Sequence, residues 1–223
     1  MGLVANARKG LGFAHFLYMQ RVKGFDVPDR PHFDPLSTEP FIDRLRSSKL
    51  YLEFGSGGST VVAAQLGIET ITVESDRWFG RAVQAKIHPA TTNTMLFIDL
   101  GLTRDWSYPV FKRQTPARRA RWDEYTEAPR RHISKLGGRF PDLILVDGRF
   151  RMACALVCAQ EAHRLGQSTT ICVDDYGDKD WYRPLEYSLG TPELVGRMAI
   201  FSVHPDRPAP TQDVIERAKR DFR

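Results

Sequence analysis

The chain has 223 residues, enough for one sizeable domain and thin for two. Hydrophobic residues make up 42% and charged residues 26%, ordinary globular usage that excludes wholesale disorder and a fibre. No apolar run approaches the roughly 20 residues needed to cross a bilayer. The formal net charge is +5, and it is local: between Lys112 and Arg139 nine basic residues stand against three acids, a surplus larger than that of the whole chain. Such a surface either attracts phosphate or carboxylate or is a solvated helix face. No recognised nucleic-acid module accompanies it.

The first 34 residues read as a leader and linker, ending in the Pro- and Asp-rich run Val27-Pro28-Asp29-Arg30-Pro31. Leu11 to Met19 is apolar but short and interrupted by His15, so it predicts an amphipathic helix rather than a signal peptide. Asn6 stands where a myristoylation signal needs Ser or Thr. Cys154, Cys158 and Cys172 cannot all pair, and the first two lie one helical turn apart in an apolar stretch. They read as reduced core thiols, and a cytoplasmic location is expected. Residues 35–223 are expected to form a single domain.

From there apolar strands alternate with helices. Thr38 is placed to cap a short helix reaching Ser47, with Pro40 in its first turn. Leu50 to Phe54 is strand-like and leads into Gly55-Ser56-Gly57-Gly58-Ser59-Thr60; a helix through Leu66 follows, ended by Gly67. Thr70 to Glu74 is a second strand, Arg77 to Lys86 a helix, and Thr94 to Asp99 a third strand. A loop carrying Trp106, Tyr108 and Pro109 precedes a basic helix over Pro116 to Leu136. Asp142 to Asp147 is the clearest buried strand, Arg151 to Leu165 a helix ended by Gly166, and Thr169 to Asp174 a fifth strand. Trp181 to Leu189 reads as helix, Glu193 to Val203 as a bent strand or a hairpin, and a basic helix starts at Gln212. The alternation predicts an α/β fold: a Rossmann-like, doubly wound, mostly parallel sheet with helices on both faces.

Ligands of such sheets bind outside the carboxyl ends of the strands. Here each of the five strands ends in an acid: Glu53, Glu74, Asp99, Asp147 and Asp174. One such acid is readily a helix cap; five on one edge point to a polar, partly cationic ligand, because desolvated charges without partners are costly. The glycine-rich turn is a natural place for backbone to approach that ligand. A dinucleotide-binding loop would have glycine where Thr60 stands, and would seat a pyrophosphate that Glu53 repels. Glu74, 21 residues beyond Glu53, is placed where a carboxylate accepts both hydroxyls of a ribose. A ribose, a cationic tail and no pyrophosphate describe S-adenosylmethionine.

On Leu52-Glu53-Phe54-Gly55-Ser56-Gly57-Gly58, Val73-Glu74-Ser75-Asp76, Ile98-Asp99 and Leu145-Val146-Asp147-Gly148, the chain resembles the class I S-adenosylmethionine-dependent methyltransferases over Leu50 to Val203. The resemblance implies a seven-stranded sheet with one antiparallel strand from Glu193 to Val203. It implies that Glu53, Gly55, Ser56 and Gly57 hold the methionine end of the cofactor. Glu74 and Ser75 would hold the ribose, Asp99 would line the adenine, and Asp147 would lie near the transferred methyl. Ser59 departs from the pattern, since many members have a third glycine there.

An acceptor hydroxyl would need a base, for which Asp147, Asp174 and Asp175 are candidates. The same three carboxylates resemble the Mg²⁺ site of catechol-type O-methyltransferases, so a divalent cation (Mg²⁺ or Ca²⁺) is one expectation for them. Helix capping, or pairing with Arg149 or Arg183, is the other. Arg149 and Arg151 follow Asp147-Gly148 directly, and a guanidinium there could fork onto a carboxylate or phosphate of the acceptor, or form a structural pair with Asp175 or Asp178. Trp106, Tyr108 and Trp181 could wall a pocket or plug the core. The expected activity is methyl transfer, chiefly to oxygen, on a small hydroxylated or anionic molecule. The alternative is a non-catalytic nucleotide- or RNA-binding protein of the same fold, using the basic segment. A nicotinamide dehydrogenase is disfavoured by Glu53 and Thr60.

Overall fold

The computed structural model describes residues 12–177 and 179–222. The myristoylation reading at Gly2 and Asn6, and any pairing through Asp178, lie outside the described residues. Residues 12–18 are helical and run into a π-helical turn at Met19–Lys23.

The chain then follows the predicted alternation: α1 (Pro35–Ser47), β1 (Leu50–Phe54), α2 (Gly58–Gln65), β2 (Glu69–Glu74), α3 (Arg77–Lys86) and β3 (Asn93–Phe97). A two-residue-per-strand hairpin, β4 (Thr103–Arg104) and β5 (Tyr108–Pro109), precedes α4 (Pro116–Ile133), β6 (Leu143–Val146), α5 (Arg151–Leu165) and β7 (Thr169–Val173). Then come α6 (Pro184–Leu189), β8 (Glu193–Val195), β9 (Met198–Val203) and α7 (Gln212–Ala218).

Seven strands form one sheet in the order β3-β2-β1-β6-β7-β9-β8. β9 alone runs antiparallel to its two neighbours; the other pairings are parallel. The strands are apolar on both faces because helices cover both. In β1, Leu52 and Phe54 enter a core shared with α4, α5 and α7, while Tyr51 enters one shared with α1 and α2. β6 splits the same way, Ile144 and Val146 against Leu143 and Leu145. The chain order reverses between β1 and β6, which opens a crevice at their carboxyl ends.

Several boundaries moved for identifiable reasons. α1 begins before Thr38, because the Asp34 carboxylate accepts from the Leu36 amide and Pro35 opens the first turn. Pro40 therefore falls inside the helix. β3 stops at Phe97, so Asp99 sits in the following loop. The helix over Trp181 to Leu189 divides at Pro184 into a 3₁₀ turn and α6, and Glu193 to Val203 is a hairpin. The three cysteines are free and buried. No helix among the described residues is long and apolar enough to cross a membrane.

Several arginines of the basic segment are paired with acids, some of the segment and some from elsewhere in the chain. Arg121 pairs with Asp99, Arg130 with Glu127 and Glu161, Arg131 with Glu124, and Arg139 with Glu69. Arg118 lies over Phe111 and Lys112 over Phe222.

The leader packs on the domain. Val27 is buried with Val61 and Val83, and the Arg30–Pro31 backbone crosses the start of α2 so closely that a Cβ on Gly58 would lie 1.9 Å from the Arg30 carbonyl oxygen. Gln20 donates to Asp76 at 2.7 Å. The linker thus passes directly beside the glycine-rich turn.

Candidate active site

Register brings the strand-end acids to one edge, with Glu53 beside Thr72 and Leu145, and Glu74 beside Phe97. At the centre, Gly55 adopts φ +94° and its Cα lies against Gly148: a Cβ there would be 3.3 Å from the Gly148 backbone. Glycine at this point lets the turns after β1 and β6 touch backbone to backbone.

Glu53 is completely buried. Its four lone-pair positions are filled by hydroxyls: Thr60 at 2.5 Å and Thr72 at 2.9 Å on Oε1, Ser59 at 2.6 Å and Tyr51 at 3.0 Å on Oε2. Burial pushes its carboxyl up to about 7 against the pull of those donors. The Thr60 hydroxyl also accepts from the Gly57 amide at 2.9 Å, which ties the acid to the glycine turn. Glu53 is conspicuous in the sequence; its hydroxyl partners are not. The available signal was four hydroxyl side chains at positions where the strand and helix patterns call for apolar ones.

Glu74 is also buried and internally bonded. Oε2 accepts the Ser56 amide at 2.9 Å and the Ser56 hydroxyl at 2.6 Å; Oε1 accepts the Ser75 and Asp76 amides at 2.6 and 2.7 Å. It staples the turn after β1 to the turn after β2. Burial raises its pKa against those bonds. Of the four donors only the Ser56 hydroxyl can rotate away without moving backbone. Asp76 caps α3 through the Trp78 and Phe79 amides.

Beside this staple lies a cavity of about 670 Å³, lined by Ser75, Asp76, Ile98, Asp99 and Gly101, with Trp78 and residues Gln20 and Arg21 of the leader. That volume suits a small-molecule site. Asp99, largely exposed, accepts the Gly101 amide at 2.7 Å and pairs with Arg121 at 3.0 Å.

The ends of β6 and β7 are built differently. Asp147, Asp174 and Asp175 surround the Arg151 guanidinium, which reaches Asp147 Oδ1 at 3.0 Å, Asp175 Oδ2 at 3.5 Å and the Asp174 carbonyl. Arg197 adds a contact to Asp175 at 3.3 Å. The expected divalent-cation site is therefore corrected: a guanidinium already stands among these carboxylates, and no group of three metal-binding side chains is assembled among the described residues. Burial, then the neighbouring Asp147 charge, raises the pKa of Asp174, whose Oδ1 is buried without a partner. Burial likewise raises Asp147, against the Arg151 charge. Two residues here hold left-handed backbone, Phe150 at φ +56° and Asp175 at φ +54°, a strain found often at functional sites.

The hairpin β4–β5 spans the two halves. The Ser75 hydroxyl donates to the Ser107 hydroxyl at 2.8 Å on one side, and Tyr108 lies against Arg149 on the other, ring centre to guanidinium 4.1 Å. Trp106 at the hairpin tip is 75% exposed, and Trp181 packs against Tyr182. Arg183 pairs with Asp180 rather than with the strand-end acids.

No family model and no curated protein matches the sequence. Among solved structures, a methyltransferase-like protein from Silicibacter pomeroyi is similar at 35% identity and a TM-score of 0.72, covering 87% of this chain and 100% of its own. A SAM-dependent methyltransferase from Neisseria gonorrhoeae aligns at 10% identity and TM-score 0.41, over 75% of this chain and 65% of its own. The CcbJ methyltransferase from Streptomyces caelestis aligns at 14% and 0.32, over 80% of each chain. The latter two are too distant to carry weight. With the seven-stranded order, the single antiparallel strand, the glycine turn and the 35% relative together, the chain belongs to the class I S-adenosylmethionine-dependent methyltransferase family.

Proposed function

We propose that this protein is a cytoplasmic S-adenosylmethionine-dependent methyltransferase acting on an oxygen of a small hydroxylated or anionic molecule. The reading is supported by two features of the carboxyl edge: a 670 Å³ cavity at the ends of β2 and β3, and a buried carboxylate oxygen, Asp174 Oδ1, left without a partner at the end of β7. The residues present fit the cofactor: the cavity has room for an adenosine, and the Gly55–Gly148 contact leaves a backbone floor that a Cβ would crowd.

S-adenosylmethionine, when bound, supplies an electrophilic methyl carbon on a sulfonium. Ser75, Asp76 and Asp99 would frame the adenosine. Glu74 would accept a ribose hydroxyl after Ser56 turns its own hydroxyl aside. Gly55, Ser56 and Gly57 would present backbone to the methionine end. Glu53, spent on four hydroxyls, would hold that turn in shape rather than meet the ligand. Asp147 would orient the acceptor hydroxyl and hold its proton at Oδ2. A raised pKa suits such a base, and general-base help is worth about 10²- to 10⁴-fold. Asp174, whose pKa the neighbouring Asp147 charge helps to raise, would share that proton.

Calorimetry with S-adenosylhomocysteine and with NAD tests the cofactor. Saturable binding of the first and none of the second is expected; the reverse result ends the proposal. Asp147→Asn should keep S-adenosylhomocysteine affinity while turnover of an acceptor found among hydroxylated acids falls at least 10²-fold. Full turnover would remove Asp147 from the chemistry.

A further inference from the structure

Arg149 and Arg151 are two residues apart and almost equally buried, 6% and 5% exposed. Arg151 is saturated: it donates to the Gly148, Asp147 and Asp174 carbonyls and to the Asp147 carboxylate. Arg149 has no ion pair and no side-chain hydrogen bond among the described residues, and its Nε is buried without a partner. Its guanidinium instead lies 4.1 Å from the centre of the Tyr108 ring. A ring face attracts a cation but satisfies none of its N–H donors.

A buried cation left in this state is costly unless a ligand completes it. The position is also informative. Arg149 follows Asp147 and Gly148 at the end of β6, on the side where Asp147 would meet the acceptor, and Asp147 feels its charge without forming a pair. Tyr108 fixes the plane of the fork from the hairpin that Ser107 ties to Ser75. A planar guanidinium held against a ring, with its in-plane donors unspent, matches a carboxylate or phosphate.

Resting on the methyltransferase reading, we infer that Arg149 anchors an anionic group of the methyl acceptor, a carboxylate or a phosphate, with the Tyr108 ring as its backing. The acceptor class is then a small molecule with a hydroxyl near Asp147 and an anionic group a few bonds away. Arg149 is an anchoring residue, and the hairpin β4–β5 is its specificity element.

Inorganic phosphate and acetate are titrated by calorimetry into wild type, Arg149→Met and Arg149→Lys, each with and without S-adenosylhomocysteine. Wild type is expected to bind at least one anion, Arg149→Met at least tenfold more weakly, and Arg149→Lys in between. S-adenosylhomocysteine affinity should stay within twofold throughout. Equal anion binding by Arg149→Met overturns the assignment, as does wild type that binds neither anion. So does a tenfold loss of S-adenosylhomocysteine affinity in Arg149→Met, which would give Arg149 to the cofactor's own carboxylate. Anion binding at Arg149 without any S-adenosylhomocysteine binding would leave the anchor standing and sink the methyltransferase reading instead. Should Arg149→Met fail to fold, Tyr108→Leu keeps the charge and removes its backing; a severalfold loss of anion affinity is expected, and none overturns the proposal.

Discussion

The two halves of the sheet's carboxyl edge both carry acids and use them in opposite ways. At the ends of β1 and β2, Glu53 and Glu74 accept every bond they can from hydroxyls and amides of the surrounding turns. At the ends of β6 and β7, Asp174 Oδ1 and the Arg149 Nε are buried and unpaired, and the carboxylates of Asp147 and Asp175 share one central guanidinium. A saturated carboxylate shapes backbone; an unsaturated one stays available for chemistry. The difference divides the edge into a preformed cradle and a reactive half, with the hairpin β4–β5 bridging them.

The hardest blow to that comparison should come from Arg151→Met. Removing the partner of buried carboxylates costs about 3–5 kcal/mol, read as a shift in the midpoint of chemical unfolding; a change below 1 kcal/mol, roughly the worth of a surface pair, would mean the aspartates are not held by Arg151. Next in size is a pH effect on the cradle. Glu53 titrates at about 7 when folded and at 4.5 when unfolded, so between those values the folded state holds a proton that the unfolded chain has lost. Stability should therefore fall as pH rises from 4.5 to 7, by on the order of 3 kcal/mol from this group. Glu53→Gln should flatten that part of the profile. A wild-type profile that rises over the same window contradicts the burial of Glu53.

Glu74→Ala is expected to weaken S-adenosylhomocysteine binding by about 1.5–3 kcal/mol for each charge-assisted bond lost, and unchanged affinity would separate the staple from the ribose. The smallest effect belongs to Arg149→Met. Because that guanidinium forms no ion pair or side-chain hydrogen bond among the described residues and only rests on the Tyr108 ring, stability should change by less than about 1 kcal/mol or rise, in contrast to Arg151→Met two positions away. A loss as large as that of Arg151→Met would show that both arginines serve the fold.

Much of this architecture was readable from the residues in order. Short apolar runs alternating with helix-like stretches predicted the strands and helices of the sheet, and α3 and α5 begin and end at their expected residues, Arg77 to Lys86 and Arg151 to Leu165. The glycine turn and the acids at successive strand ends were enough to indicate the family. What could not be read was how each acid is spent. Asp147, Asp174 and Asp175 resemble a cation site in one dimension. Arg151, on the helix that follows β6, fills the space between them in three. Thr38 and Asp34 compete for the same cap, and only the contact of Asp34 with the Arg197 amide at 3.0 Å, on the far hairpin, shows the second task that Asp34 performs.

Sequence by itself determined the element types, their order and hence the edge on which the acids gather, because periodicity, turn chemistry and right-handed crossovers act through near neighbours. Tertiary structure alone decided which acids are satisfied, since the donors to Glu53 come from Tyr51, Ser59, Thr60 and Thr72 and meet only when α2 and β2 pack on β1. Whether a charge is stabilised or left poised depends on distances between such segments, which no local pattern encodes.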